Sequence, residues 1–309
     1  MGYRIRKGDA DMQQALRRIA GEQIDRALAE LDDAALSPAA RVHQIRKRCK
    51  KLRGLLRLVR PAFSGFGAEN ATFRDLARPL SGARDADTLI RSYDALLAAQ
   101  EVDDRRRFAA IRARLTREAG EAHGAPALDD RLEDLRAQMQ EARRRARGWS
   151  LGHKGFRALA GGAGKSYARA REAMQHAYAL REDEALHDWR KYLKAHWYHA
   201  RLASRICPGM MEPHAEGLDR LCTLLGDHHD LCVLDARLAG APLDFGPRTD
   251  VEGFRALIGA RKAVLEEEAF RAGRVLLAER REALVRRWRG YWKLWRAGRM
   301  TRERLVVKA

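Results

Sequence analysis

The chain has 309 residues, with 61 Lys plus Arg against 42 Asp plus Glu, a formal net charge of +19 and a pI near 10.4. At 33% charged residues, with a mean hydropathy of −0.52 and no apolar run near the roughly 18 residues that a membrane-spanning helix needs, an integral membrane protein is excluded. The 46% hydrophobic content excludes general disorder and suits one large or two medium domains, and the charge balance points to an anionic partner.

Residues 1–9 are basic but lead into no apolar stretch, so no secretory signal is read and the expected location is the cytoplasm. Helical spacing follows at once, in Leu16, Ile19, Ile24, Leu28 and Leu31, and again in Leu52, Leu55, Leu56 and Val59. Runs that alternate as strands do are scarce, and the predicted class is all-α. Breaks fall at Ser37-Pro38, at 61–67, at 123–126, at Pro208-Gly209 and at 240–247. They divide the chain into about nine to eleven helices joined by short loops, the pattern of antiparallel bundles.

An internal repeat organises these elements. Val42-His43-Gln44-Ile45-Arg46-Lys47, followed by Lys50 and Arg57-Leu58, recurs 144 residues later as Leu186-His187-Asp188-Trp189-Arg190-Lys191, followed by Lys194 and Arg201-Leu202. LSGARD at 80–85 recurs as LGDHHD at 225–230, each read as lying just after a short loop. The predicted architecture is two pseudo-symmetric helical bundles, at 1–148 and 149–309, with the seam in the Gly-rich stretch 148–164 and equivalent faces brought together.

Each copy carries a basic helix headed by histidine. At 100° per residue, His43, Arg46, Lys47, Lys50, Arg53 and Arg57 fall within an arc of roughly 120°, with Ile45, Cys49, Leu52 and Leu56 behind them. No Asp or Glu occurs from Ala34 to Ala68, although 41–60 holds nine Lys or Arg. The second copy repeats the stripe in His187, Arg190, Lys191, Lys194, Tyr198, Arg201 and Arg205, with no acid from Trp189 to Met211. A merely solvated helix interleaves acids for i,i+4 pairing. Two uncompensated stripes of the same order instead fit a shared anion, with Arg as a fork of donors and Lys as a mobile point charge for phosphate oxygens.

At these residues the sequence resembles the CHAD (conserved histidine α-helical domain) family across essentially the whole chain. The resemblance rests on VHQIRK with the following KKLR at 42–53, LSGARDAD at 80–87, SYARAR at 166–171, LHDWRKYLK at 186–194 and LLGDHHDLCVL at 224–234. It implies two four-helix bundles flanking a basic central groove that binds inorganic polyphosphate, and association with polyphosphate granules. His43, Arg46, Lys50, Lys51 and Arg53 match the family's first motif, and His187, Arg190, Lys194 and Tyr198 the second. Trp197 stands where the family often has Arg, so a lopsided groove is expected. Many relatives carry a CYTH triphosphatase domain for which this chain has no room, and the expectation is binding without catalysis.

Other constellations are weighed against this reading. Residues 161–166 resemble the end of a Walker A loop, but GxxxxGK[ST] requires Gly at 159, where Leu159 stands, and no strand precedes it. The stretch is expected to be a flexible lead into the helix bearing Tyr167, Arg169 and Arg171, of which Tyr167 and Arg171 are secondary phosphate candidates. Arg84 and His229, at matched places in the repeat, are also secondary candidates. His196 with His199, and His228 with His229 and Asp230, have the residue types of metal ligands, but the directions they take on a helix argue against a site. No metal or cofactor is expected. The four cysteines show no ligand spacing and read as packing thiols. The rival function classes are a nucleic-acid-binding basic protein, which would bind as a competitor of polyphosphate, and a His-rich metal-binding protein. Neither finds a recognisable motif, and no protein partner can be named.

Overall fold

The computed structural model describes residues 2–76, 82–99, 105–123 and 128–298. Among these residues the secondary structure is helical: α1 (Met12–Asp32), α2 (Pro38–Val59), α3 (Phe66–Asp75), α4 (Gly82–Ala99), α5 (Ala109–His123), α6 (Leu128–Arg147), α7 (Arg157–Leu180), α8 (Asp183–Ala203), α9 (Pro208–Gly240), α10 (Arg248–Leu276) and α11 (Arg281–Arg296), with short 3₁₀ turns between some of them. No described helix is long and apolar enough to cross a membrane.

Local chemistry sets several boundaries. Asp11 caps α1 by accepting from the amide of Gln14 at 2.8 Å, and Ser37 caps α2 through the amide of Ala40, with Pro38 in the first helical turn. At the end of α7, Arg181 takes the left-handed conformation, φ 56°. Its guanidinium lies over Phe270 and Tyr178 and is ion-paired to Glu266 and Glu267, which holds this unfavourable backbone against α10.

The larger apolar cluster joins α1, α2 and α6 to α7, α8, the first part of α9 and α11. Ile19, Leu52, Leu55, Trp189 and Trp288 are at its centre, and Trp295 is buried on the same face of α11 as Trp288. A second cluster is built from both halves of the repeat. The apolar faces of α4 and α5, with Tyr93, Leu96, Ile111 and Leu115, close on Leu234 and Leu238 of α9 and on Phe254 and Ile258 of α10. Tyr93 stacks on Phe254 at 4.9 Å. Among the described residues the apolar face of the α4–α5 hairpin is covered by the last part of α9, by α10 as far as Leu265 and by Phe245, so this cluster is shared between 1–148 and 149–309.

Two local expectations are corrected. LGDHHD lies inside α9, an unbroken helix of 33 residues, and follows no loop. Gly161, Gly162 and Gly164 are likewise helical, within α7, and mark helix contacts in place of a flexible lead. A Cβ on Gly162 would stand 1.9 Å from the carbonyl oxygen of Leu58, and one on Gly161 2.8 Å from Pro61. These glycines let α7 lie directly on the end of α2.

Candidate phosphate-binding site

The two basic helices cross, and they do so at equivalent positions of the repeat. Gly54 of α2 meets Tyr198 of α8, 144 residues on: a Cβ on Gly54 would stand 2.9 Å from that of Tyr198 and 2.8 Å from the hydroxyl of Tyr3. His199 Nε2 donates to the Gly54 carbonyl at 3.1 Å, and the Tyr3 hydroxyl donates to the Lys51 carbonyl at 2.6 Å. From this crossing Arg57 runs towards Lys191 in one direction, while Lys51 lies near Arg201 in the other.

On the first side lies a pocket of about 310 Å³ between α2, α3, α7 and α8. Five cations line it, Arg57, Arg60, Lys165, Arg169 and Lys191, and among the described residues no carboxylate does, although Asp188 pairs with Lys191 from outside the lining at 3.1 Å. Aromatic faces help to hold the cations: Arg60 lies 4.7 Å from the centre of Phe66, and Arg169 and Lys191 lie 5.7 and 5.3 Å from that of Tyr192. Asn70 accepts from Arg53 at 3.3 Å at its edge. Burial, then the nearby Arg169 and Arg60, push the Arg57 guanidinium below its ordinary pKa. Concentrated, partly dehydrated positive charge, of which Lys191 alone is paired to an acid among the described residues (Asp188, 3.1 Å), is suited to an oligoanion with closely spaced charges.

The opposite side has a counterpart of about 290 Å³, where Trp197 and Arg201 occupy the places of Arg53 and Arg57. It contains Arg4 and Arg201 but also Glu212, Glu216 and Asp219. Glu212 is paired to Arg4 at 3.3 Å. The expected lopsidedness is present, and it comes as much from these acids of α9 as from Trp197.

The CHAD domain family matches residues 18–239. The chain belongs to the CHAD family. Its fold is similar to that of the crystal structure of the CHAD domain from the plant Ricinus communis, with a TM-score of 0.53 at 19% sequence identity over 87% of this chain and 92% of that one. No curated protein matches the sequence.

Within this CHAD chain the expected site residues divide into three groups. His43, Lys47, Lys50 and Lys191 are exposed along the stripes, and Arg46, Arg53, Arg57, Arg190, Lys194 and Arg201 are half-buried beside them. Lys194 and Arg201 flank the Trp197 ring at 5.5 and 4.7 Å. His187 faces His229, with their Nδ1 atoms 3.0 Å apart, so the secondary candidate His229 does stand at the head of the second stripe. Lys51 and Tyr198 are buried at the crossing, not displayed on the stripe. Burial, then Arg48, Arg201, Lys47 and Arg26, push the Lys51 ammonium down to about 8.

The third group does not face the groove. Tyr167 is fully buried on the opposite face of α7 and donates to the Glu279 carbonyl at 2.9 Å, and Arg171 donates to the Leu277 carbonyl at 3.2 Å, just beyond the end of α10. The side chain of Arg84 lies outside the described residues. The cations of α7 that do face α2 are Lys165 and Arg169, one turn apart. Sequence patterning does not single out Lys165 or Arg60 and notes Arg169 only as part of its helix. The signal that identifies Lys165 and Arg169 is Gly161-Gly162, which fixes the side of α7 laid on α2.

Beneath the pocket, polar side chains of α7, α8 and α9 and a carbonyl of α2 tie four helices together. His199 donates Nε2–H to Gly54, so its Nδ1 accepts the Ser166 hydroxyl at 2.8 Å. Ser166 then accepts from His196 Nδ1 at 3.4 Å, and His196 Nε2 accepts from His214 at 3.5 Å. Burial holds His199 down to about 3 and His214 to about 4, and burial followed by His214 holds His196 well below the usual imidazole value. These rings are neutral fixtures of the pocket floor. His228 and His229 point apart, the first towards Asp183 and the second towards His187.

Proposed function

We propose that this CHAD protein binds inorganic polyphosphate, by multivalent charge neutralisation and without turnover, and that it associates with polyphosphate granules. The observation that carries the reading is the pocket at the α2–α8 crossing, lined among the described residues by five cations and no carboxylate. A phosphate chain places an anionic oxygen on every unit, and guanidinium and ammonium donors held apart by helices can engage successive units together. From this pocket the chain would follow the exposed Lys47, Lys50 and His43 or the Arg190–Lys194 edge, releasing counterions as it goes.

The test is a titration at physiological salt with polyphosphate of defined lengths, and with duplex DNA and RNA of matched charge. Tight, length-dependent binding that neither nucleic acid displaces supports the reading. Equal binding of all the polyanions reduces the stripes to a general basic surface. Imaging of a tagged protein in polyphosphate-accumulating cells tests the granule assignment.

A further inference from the structure

At the start of α8, outside the cation pocket, three side chains with different donor atoms converge. Asp183 opens α8, while His228 and Cys232 are one turn apart on α9 and share a face. The His228 ring is 2% exposed. Its Nε2 lies 3.8 Å from Asp183 Oδ1, and its Nδ1 lies 3.5 Å from Cys232 Sγ. One oxygen, one nitrogen and one sulfur, each from a different residue, all lie within 4.8 Å of one another. A tetrahedral ion with bonds of about 2.0–2.3 Å holds its ligands roughly 3.3–3.8 Å apart, so small side-chain rotations close the set.

The cluster already holds a cation of the chain itself, despite the net charge. Lys262 Nζ sits 2.6 Å from Asp183 Oδ2 and also hydrogen-bonds Cys232, so a bound ion would take the place of this ammonium, while Asp183 Oδ1 is left towards His228. His229 turns the other way and is engaged with His187.

We propose that Asp183, His228 and Cys232 form a binding site for one zinc-like divalent ion, with water in the fourth position on the exposed side of Asp183. The mixed sulfur, nitrogen and oxygen donors select a borderline-soft ion over magnesium or calcium. On binding, the Cys232 proton leaves to solvent and a sulfur–metal bond forms, with no change of oxidation state. The ion clasps α8 to α9 next to the His187–His229 pair, and so fixes the head of the second basic stripe.

The test uses the metal-stripped full chain, titrated with Co²⁺ and followed by absorbance, and with Zn²⁺ in competition with a chromophoric chelator. The expected result is one ion per chain, a near-ultraviolet sulfur-to-cobalt band and the visible bands of a tetrahedral ion. Cys232→Ser should abolish the sulfur band, and Cys232→Ser and His228→Gln should each weaken zinc at least about tenfold. Lys262→Met, which removes the competing ammonium, should tighten it. His187→Ala and His229→Ala should leave affinity within about twofold of the parent. Circular dichroism confirms that each variant is folded. Absence of a sulfur band in the parent chain, or its survival in Cys232→Ser, overturns the proposal.

Discussion

Gly54 and Tyr198 occupy equivalent places in the two copies of the repeat, and they touch. One copy carries the smallest residue and the other a large aromatic, so the helices interlock where two identical side chains would collide. The same economy of space is found where Gly162 meets the Leu58 carbonyl. Because a backbone carbonyl cannot rotate away, Gly162→Ala should destabilise the fold by about 3 kcal/mol, the upper range for overpacking. Gly54→Ala, which meets side-chain atoms, should cost less. Gly259→Ala, in α10 with nothing within 4 Å of the new Cβ, should stabilise by about 0.5–1 kcal/mol. Urea unfolding midpoints of the three variants check the ordering.

If the proposed phosphate chain passes the α2–α8 crossing, Lys51 should make its binding pH-dependent. Its ammonium is pushed down to about 8 by burial and four neighbouring cations, and a phosphate nearby restores the charged form. Binding above pH 8 therefore takes up a proton, and affinity falls as pH rises through 8 towards the ordinary lysine value. Calorimetry in buffers of different ionisation enthalpy should detect the uptake, and Lys51→Met should abolish it. In the ligand-free protein the sign is opposite for folding. The unfolded chain holds this proton more tightly, so the residue contributes stability as pH rises from 8 to 10.5.

The buried histidines set the acid limit. His196, His199 and His214 remain neutral in the folded state to well below their ordinary value of 6.5. The unfolded chain takes up protons there first, so stability is lost as pH falls from 6.5 towards 4. Denaturant unfolding at pH 7, 6 and 5 should show a falling midpoint, and one that is flat across this range contradicts the assignment.

Asymmetry predicts stoichiometry. Among the described residues the lining of the pocket beside Arg57 has no acid, whereas that of its counterpart beside Arg201 contains Glu212, Glu216 and Asp219. A short oligophosphate such as tripolyphosphate should bind once per chain. The triple variant Glu212→Gln, Glu216→Gln, Asp219→Asn should admit a second molecule, read as a doubled equivalence point in calorimetry.

The stripes on α2 and α8 are legible in sequence because a helix fixes which of its own residues share a face, and the repeat supplies two readings of one pattern. The all-helical class follows from the same periodicity, which also reads Trp288, Trp292 and Trp295 as one buried face of the last helix; Trp288 and Trp295 are buried and Trp292 is half-buried. What faces the stripes is not legible, since it depends on how helices distant in sequence are laid together. Tyr167 attracts notice beside Arg171 but lies in the core, while Lys165 and Arg169 take the groove side of α7 through the contact of Gly162 with α2. The acids of α9 lie beyond the acid-free run that ends at Met211, and only folding brings Glu212 and Glu216 beside Arg201. That the apolar face of α4–α5 packs against α9 and α10 is not legible for a similar reason.

On the proposed function it is the pocket beside Arg57, and not the overall charge, that holds the phosphate chain. The most direct measurement is calorimetric titration of defined-length polyphosphate into the parent protein, into Arg57→Ala with Arg169→Ala, and into Arg286→Ala with Arg289→Ala, an exposed pair on α11 that loses the same charge. With about 1.5–3 kcal/mol for each well-placed charged hydrogen bond, the pocket pair should lose at least about a hundredfold in affinity. The α11 pair should remain within a few-fold of the parent. Equal losses in the two pairs would contradict the account and leave only non-specific attraction to a basic surface.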